Sequence, residues 1–179
     1  MRGVQERGTV ATLTDQVGSE SVRPVSRWGS WSRLAIASVV AALVVLADQL
    51  TKSWAVSRLW HGPIHVLGPL DLELQRNTGS AFSLFQGQAA VLVVIAVVLV
   101  GVLLVLAGRS PTSGRAIVLG LILGGALGNL SDRLFRGGNG AVIDFIALHF
   151  WPTFNVADAC IVVGCVLLIV SLLRAGRST

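Results

Sequence analysis

Charge is the first thing this chain has little of: only 13% of its 179 residues are Asp, Glu, Lys or Arg. A soluble domain carries about 25%, so a water-facing surface of ordinary size is excluded. Tyrosine is absent, and there are only two cysteines, Cys160 and Cys165. Five apart inside an apolar run, with no CxxC and no matching His, they build neither a disulfide framework nor a zinc site and read as small buried hydrophobes. His61, His65 and His149 fit no zinc spacing and there is no HExxH, which argues against a metalloprotease. No GxSxG, P-loop or Rossmann glycine pattern occurs either. No metal and no cofactor is expected.

What is present is hydrocarbon. Hydrophobic residues make up 53% of the chain and the mean hydropathy is +0.75, the composition of an integral membrane protein built as one domain. The net charge of +5 comes from scattered Arg rather than a basic patch beside aromatics, so nucleic acid is not an expected partner.

Residues 1–33 are polar and hold Arg2, Arg7, Arg23, Arg27 and Arg33 without a persistent apolar period. They are expected to form a disordered tail rather than a cleavable leader. Four apolar runs follow at about 34–50, 89–107, 116–130 and 156–173, each readable as a membrane span, the first flanked by Trp31 and Trp54. Four spans put both termini on one side. The Arg of the tail, with Arg109, Arg115, Arg174 and Arg177, outnumber Lys52, Arg58, Arg76, Arg133 and Arg136 on the other side. The positive-inside rule therefore makes both termini cytoplasmic and the remaining loops external.

The external loop 51–88 contains Leu70, Leu72 and Leu74 alternating with Asp71, Glu73 and Gln75, the period of a half-exposed strand. A turn, Asn77-Thr78-Gly79-Ser80-Ala81-Phe82, follows. A small sheet lying on the membrane is suited to receive an extended peptide edge to edge. The third span carries Gly120, Gly124 and Gly128, overlapping GxxxG patterns that read as close helix packing. Asn129, Asp132 and Arg133 sit at the end of that span; an Asp132–Arg133 ion pair and a substrate role for Asp132 are equal readings.

Nine acidic residues serve the whole chain, and three of them, Asp132, Asp144 and Asp158, fall between Gly124 and Asp158. Carboxylates where hydrocarbon meets water are costly and need a reason. Asp144 stands between Ile143 and Phe145. Pro152 and Thr153 stop any preceding helix, and Asn155 is a favoured N-cap that puts Asp158 in the first helical turn. The plain reading of Asp158 is a capping box. The functional one is a carboxyl pair in which Asp144, among apolar neighbours, holds a proton while Asp158, at the positive helix end, stays charged. Such a pair hydrolyses peptides with water: one acid acts as general base, the other as general acid. A small ion- or proton-coupled transporter is the alternative from another class.

The segments Asp48-Gln49-Leu50-Thr51-Lys52, Asn77 to Phe82, Gly124 to Asn129 with Asp132-Arg133, Val142 to Phe145 and Phe154 to Asp158 occur in the order found in the bacterial lipoprotein signal peptidases, the type II signal peptidases. Over about residues 34–175 the chain resembles that family. The resemblance implies an all-α integral membrane protein of four transmembrane helices with a small outer-side β-cradle. It also implies a membrane-embedded aspartyl endopeptidase with Asp144 and Asp158 as its catalytic dyad. Asn77, Gly79, Asn129, Asp132, Arg133 and Asn155 would line or support the substrate site, and Asp48 and Lys52 would support the end of the first helix. The implied partners are membrane lipids and a prolipoprotein whose Cys already bears diacylglycerol, cut just before that Cys. The implied place is the bacterial plasma membrane, with the active site at the outer face. A monomer is the expectation.

Overall fold

The computed structural model describes residues 27–79, 89–136 and 140–176. The elements run α1 (Arg27–Arg58), β1 (Ile64–Leu67), β2 (Leu70–Asn77), α2 (Ala89–Gly108), α3 (Ser113–Phe135), β3 (Val142–Leu148), β4 (Trp151–Phe154) and α4 (Val156–Gly176). The four helices are long and apolar enough to cross a membrane. Most of the tail expected at 1–33, and Ser80 to Phe82, lie outside the described residues; residues 27–33 are helical.

The first helix is longer than its apolar run. At 32 residues it measures about 48 Å against about 30 Å of hydrocarbon. Its last turns leave the bundle because they have something else to cover: Ala55 and Leu59 are buried with Phe145, and Leu72, Leu74, Ile146 and Val156 pack around them. Leu72 and Leu74 of the alternating segment thus face α1, while Glu73 and Gln75 face out. Asp48, expected near a helix end, lies well inside α1 for the same reason.

The sheet is antiparallel throughout, in the order β1-β2-β3-β4. Asp71 on β2 ties β1 to the β3–β4 turn: its two carboxylate oxygens lie 2.6 Å from His65 Nδ1 and 3.0 Å from His149 Nε2. Hydrogen bonds with His149 and His65 hold the Asp71 carboxyl below the usual carboxylate range.

In the bundle α3 is the most buried helix and packs against each of the other three. Its glycines explain how. A Cβ on Gly120 would stand 2.7 Å from Ala37 O, one on Gly124 2.6 Å from Val44 Cβ and 2.8 Å from Ala41 O, and one on Gly128 2.6 Å from Asp48 Oδ2. The GxxxG reading holds: the glycines bring α3 onto the α1 backbone. Gly125 serves α4, where a Cβ would meet Ala157 O at 2.5 Å. The cysteines differ from expectation. Cys160 is half-buried and Cys165 exposed, because both lie on α4, whose long apolar side chains face outward from the bundle.

Candidate active site

The small-residue seam between α1 and α3 ends in charge. Asp48, Lys52 and Asp132 are all 0% exposed. Lys52 Nζ donates to Asp48 Oδ2 at 2.8 Å, Asp132 Oδ2 at 2.9 Å and Asn129 Oδ1 at 3.0 Å, an acceptor for each of its three protons. The two aspartates use their other lone pairs on backbone. Asp132 Oδ2 accepts from Ile143 N at 3.0 Å, and Asp48 Oδ1 from Ala157 N at 3.0 Å. Those peptides immediately precede Asp144 and Asp158. The buried ion triad therefore bolts β3 and α4 to the α1–α3 seam beside each dyad residue.

Of the two equal readings of Asp132, the ion pair with Arg133 does not form. Adjacent residues on a helix point about 100° apart, while i and i+4 share a face, and Asp132 Oδ1 takes Arg136 Nε at 2.9 Å. Arg136 was missed in the sequence, as was Gln49, whose amide donates to Asp48 Oδ2, Gly128 O and Asp132 Oδ1. Arg136 also binds Gln49 Oε1, Gln49 O and Ser53 Oγ. The i+4 spacing from Asp132 is the signal by which it was recoverable.

Asn155 links Asp144 to Asp158. As N-cap of α4 its Oδ1 accepts from Asp158 N at 2.9 Å, and Asp158 Oδ2 accepts in return from Asn155 N at 3.3 Å, a reciprocal capping box. With Oδ1 committed to an N–H, the Asn155 amide group faces the other way and donates to Asp144 Oδ1 at 2.7 Å. Two more asparagines obey the same rule. Gly79 N donates to Asn77 Oδ1 at 2.9 Å, turning the Asn77 amide onto Asp144 Oδ2 at 3.0 Å. Lys52 donates to Asn129 Oδ1, turning the Asn129 amide onto Asp158 Oδ1 at 2.7 Å. Each amide is oriented by a partner that can only donate, so each offers its own N–H to a carboxyl. Gly79 itself sits at φ +87, so the turn requires glycine; a Cβ there would meet only the movable Cδ1 end of Leu92, at 2.6 Å.

Asp144 is 1% exposed. Burial and the neighbouring Asp158 charge push its carboxyl up, against the two asparagine hydrogen bonds, to about 6. The Asp158 charge is thus a second reason, after burial, for the Asp144 carboxyl to hold its proton. Arg133 is half-buried nearby, its charge felt by Asp158 and Asp144. Its Nη1 reaches Asn129 O at 3.4 Å, and its buried Nε has no partner among the described residues. Beside Asp158 an apolar cavity of about 350 Å³ opens between the β3–β4 hairpin and α4, lined by Leu148, Phe150, Trp151, Phe154, Ala159, Val162 and Val163.

Comparison with known proteins bears on the family and the fold. A family model described as Signal peptidase (SPase) II matches residues 40–174. A lipoprotein signal peptidase of Rhodococcus jostii is 42% identical over 163 residues, covering 87% of this chain and 79% of its own. One of Mycobacterium leprae is 42% identical over 143 residues, covering 77% of this chain and 71% of its own. Among solved structures, a bacterial membrane enzyme determined in meso at 2.3 Å superposes with a TM-score of 0.70 at 26% identity, covering 80% of this chain and 90% of that one. A second, at 1.9 Å, gives 0.69 at 27% identity, with 77% and 92% covered.

Proposed function

The chain belongs to the signal peptidase II family, and from that premise we propose that Asp144 and Asp158 are the carboxyl pair with which this membrane aspartic endopeptidase cleaves prolipoproteins. The substrate is a precursor whose Cys already carries diacylglycerol, and the bond cut is the one just before that Cys. The observation that carries the reading is the Asn155 bridge: its side-chain amide donates to the carboxyl raised to about 6, its Oδ1 accepts from the Asp158 N–H, and its own backbone N–H donates to the Asp158 carboxyl at the helix N-terminus.

The chemistry follows from proton placement. Below about pH 6 Asp144 holds a proton while Asp158, whose carboxyl accepts from Asn129 Nδ2 and Asn155 N, serves as base. Water attacks the scissile carbonyl as Asp158 takes one of its protons and Asp144 gives its own to the carbonyl oxygen. In the diol that results, Asp158 passes its proton to the departing nitrogen while Asp144 recovers one from a hydroxyl as the C–N bond breaks. No proton is gained or lost over the cycle beyond the water consumed.

The surroundings suit a lipidated peptide. The apolar cavity next to Asp158 fits hydrocarbon, from the acyl chains or the signal peptide. The unsatisfied Nε of Arg133 is suited to a substrate carbonyl. The cross-helix acids that a transporter would use are already saturated by Lys52, Gln49 and Arg136. We place the site at the outer face of the bacterial plasma membrane with both termini cytoplasmic, on the Arg asymmetry of the loops. The deciding experiment presents purified protein with a diacylglyceryl-modified precursor and its unmodified twin. Cleavage before Cys of the modified precursor alone is the expected result, and equal cleavage of both, or of neither, would sink the substrate assignment.

A further inference from the structure

The end of the bundle away from the dyad carries charge of one sign. Arg33 on α1, Arg109 and Arg115 around the start of α3, and Arg174 on α4 gather there. The described acids, Asp48, Asp71, Glu73, Asp132, Asp144 and Asp158, belong to the dyad half or to the sheet.

Two of these guanidiniums are built into the corner where α3 begins. Arg33 Nη1 donates to Pro111 O at 3.0 Å, one residue before the N-cap Thr112. Arg115, in the first turn of α3, donates from Nη2 to Ser171 Oγ of α4 at 3.4 Å. Both side chains keep a buried Nε with no hydrogen-bond partner among the described residues. A buried charged donor without an acceptor is costly, and such an orphan asks for a ligand. At the same corner a Cβ on Gly114 would meet nothing within 4 Å, so there is room beside the first N–H groups of α3. Arg115 N is capped by Thr112 Oγ1; the N–H groups before it lack intrahelical partners and carry the positive end of the helix dipole.

We propose that this corner is a second binding site, for the phosphate of an anionic phospholipid headgroup. Oxygen acceptors on a phosphate match the two orphaned guanidinium donors and the α3 N-terminus. The lipid source is favoured over free phosphate because the corner ends spanning helices and so lies at headgroup depth. Exposed apolar side chains on α1 (Val39, Leu43) and α4 (Leu172, Leu173) offer a wall for acyl chains. Basic pockets between helix ends hold anionic lipids in this manner. The proposal needs the four helices to cross a bilayer and does not depend on the dyad assignment.

The test is lipid retention by native mass spectrometry. The purified full chain is exchanged into micelles doped equally with phosphatidylglycerol and phosphatidylcholine. Wild type should retain the phosphatidylglycerol selectively. The R33Q/R115Q variant should lose roughly fivefold of that preference per guanidinium removed, with R33K/R115K keeping part of it. R58Q/R76Q, altered at the other end, should behave as wild type. Equal retention of the two lipids by wild type overturns the site, whether or not any variant folds. An equal loss in R58Q/R76Q also overturns it, by reducing the effect to overall charge. Binding of inorganic phosphate that displaces phosphatidylglycerol at equal concentration would overturn the lipid as occupant.

Discussion

Lys52 Nζ donates to Asn129 Oδ1 at 3.0 Å, and that bond decides which end of the Asn129 amide meets Asp158. A lysine cannot accept, so the oxygen faces it and the N–H₂ is left for the carboxylate. The buried bolt of the helix seam and the dyad are therefore one network, joined through an amide.

Replacing Lys52 by Met should test that coupling. Buried Asp48 loses its cation while Asp132 keeps Arg136, and removing one partner of a buried pair costs about 3–5 kcal/mol. A large fall in Tm and in membrane abundance is expected. In the folded fraction kcat should fall more than KM, because the Asn129 Oδ1 then keeps only the Asn155 amide and its own amide is held less firmly toward Asp158. Asp132→Asn should also lower stability, and should leave measurable cleavage. Complete loss of turnover in a fully folded D132N protein would place Asp132 among the reacting groups.

Asp144→Asn and Asp158→Asn should each remove turnover of the lipidated precursor by at least about a hundredfold, the lower range for loss of a positioned acid or base. The proteins should still fold. D158N gives up part of its capping role, worth about 1 kcal/mol, so its Tm should drop modestly. Near-normal turnover in either variant, measured by single-turnover cleavage, would refute the dyad.

The pH dependence has a defined sign. The Asp144 carboxyl is raised from 3.8 to about 6 in the folded protein. Its stabilising contribution is present below about pH 4 and is lost as pH rises through about 6. Tm of wild type should decline across that window relative to D144N, which carries no titrating group there. Cleavage should show a basic limb centred near 6, because the general acid is lost as it ionises. A rate that keeps rising through neutral pH would contradict the assignment.

Gly124→Ala should separate α1 from α3. Its Cβ would stand 2.8 Å from Ala41 O and 2.6 Å from Val44 Cβ, and backbone cannot move aside cheaply. Overpacking of this kind costs about 1–3 kcal/mol. Gly114→Ala, with open space around it, is the control and should leave Tm unchanged.

Gly79→Ala should act on the site rather than the bundle. The residue is held at φ +87, where a side chain is strained, and its N–H orients Asn77. Turnover should fall while the helical circular dichroism of the bundle persists. Full activity in G79A would mean that the Asn77–Asp144 bond is dispensable.

Much of this was legible in the sequence, for reasons that differ by element. The spans at 89–107 and 156–173 coincide with α2 and α4 to within a few residues because hydrocarbon thickness alone sets their length. The span at 34–50 underestimated α1, whose last turns are held by Ala55 and Leu59 against the sheet, a tertiary contact with no trace in hydropathy. β2 was visible in the alternation of Leu70, Leu72 and Leu74. β1 and β4 were not, since four-residue strands are stabilised by pairing rather than by their own pattern. Asn155 as N-cap was readable from local chemistry, and Arg136 as the partner of Asp132 was overlooked in favour of its neighbour Arg133.

The amino-acid order by itself determined that this chain spans a membrane and packs one helix through glycines. It also determined that scarce acids collect at two helix ends, because burial cost, helix period and capping act over a few residues. Only the tertiary structure decided what those acids do to one another. Which asparagine faces which carboxyl depends on donors from Lys52 on α1, Gly79 after β2 and the first turn of α4, and how far Asp144 is raised depends on burial. Electrostatics and hydrogen-bond direction depend on separations in space, and those exist only once the helices and the sheet have closed around the pair.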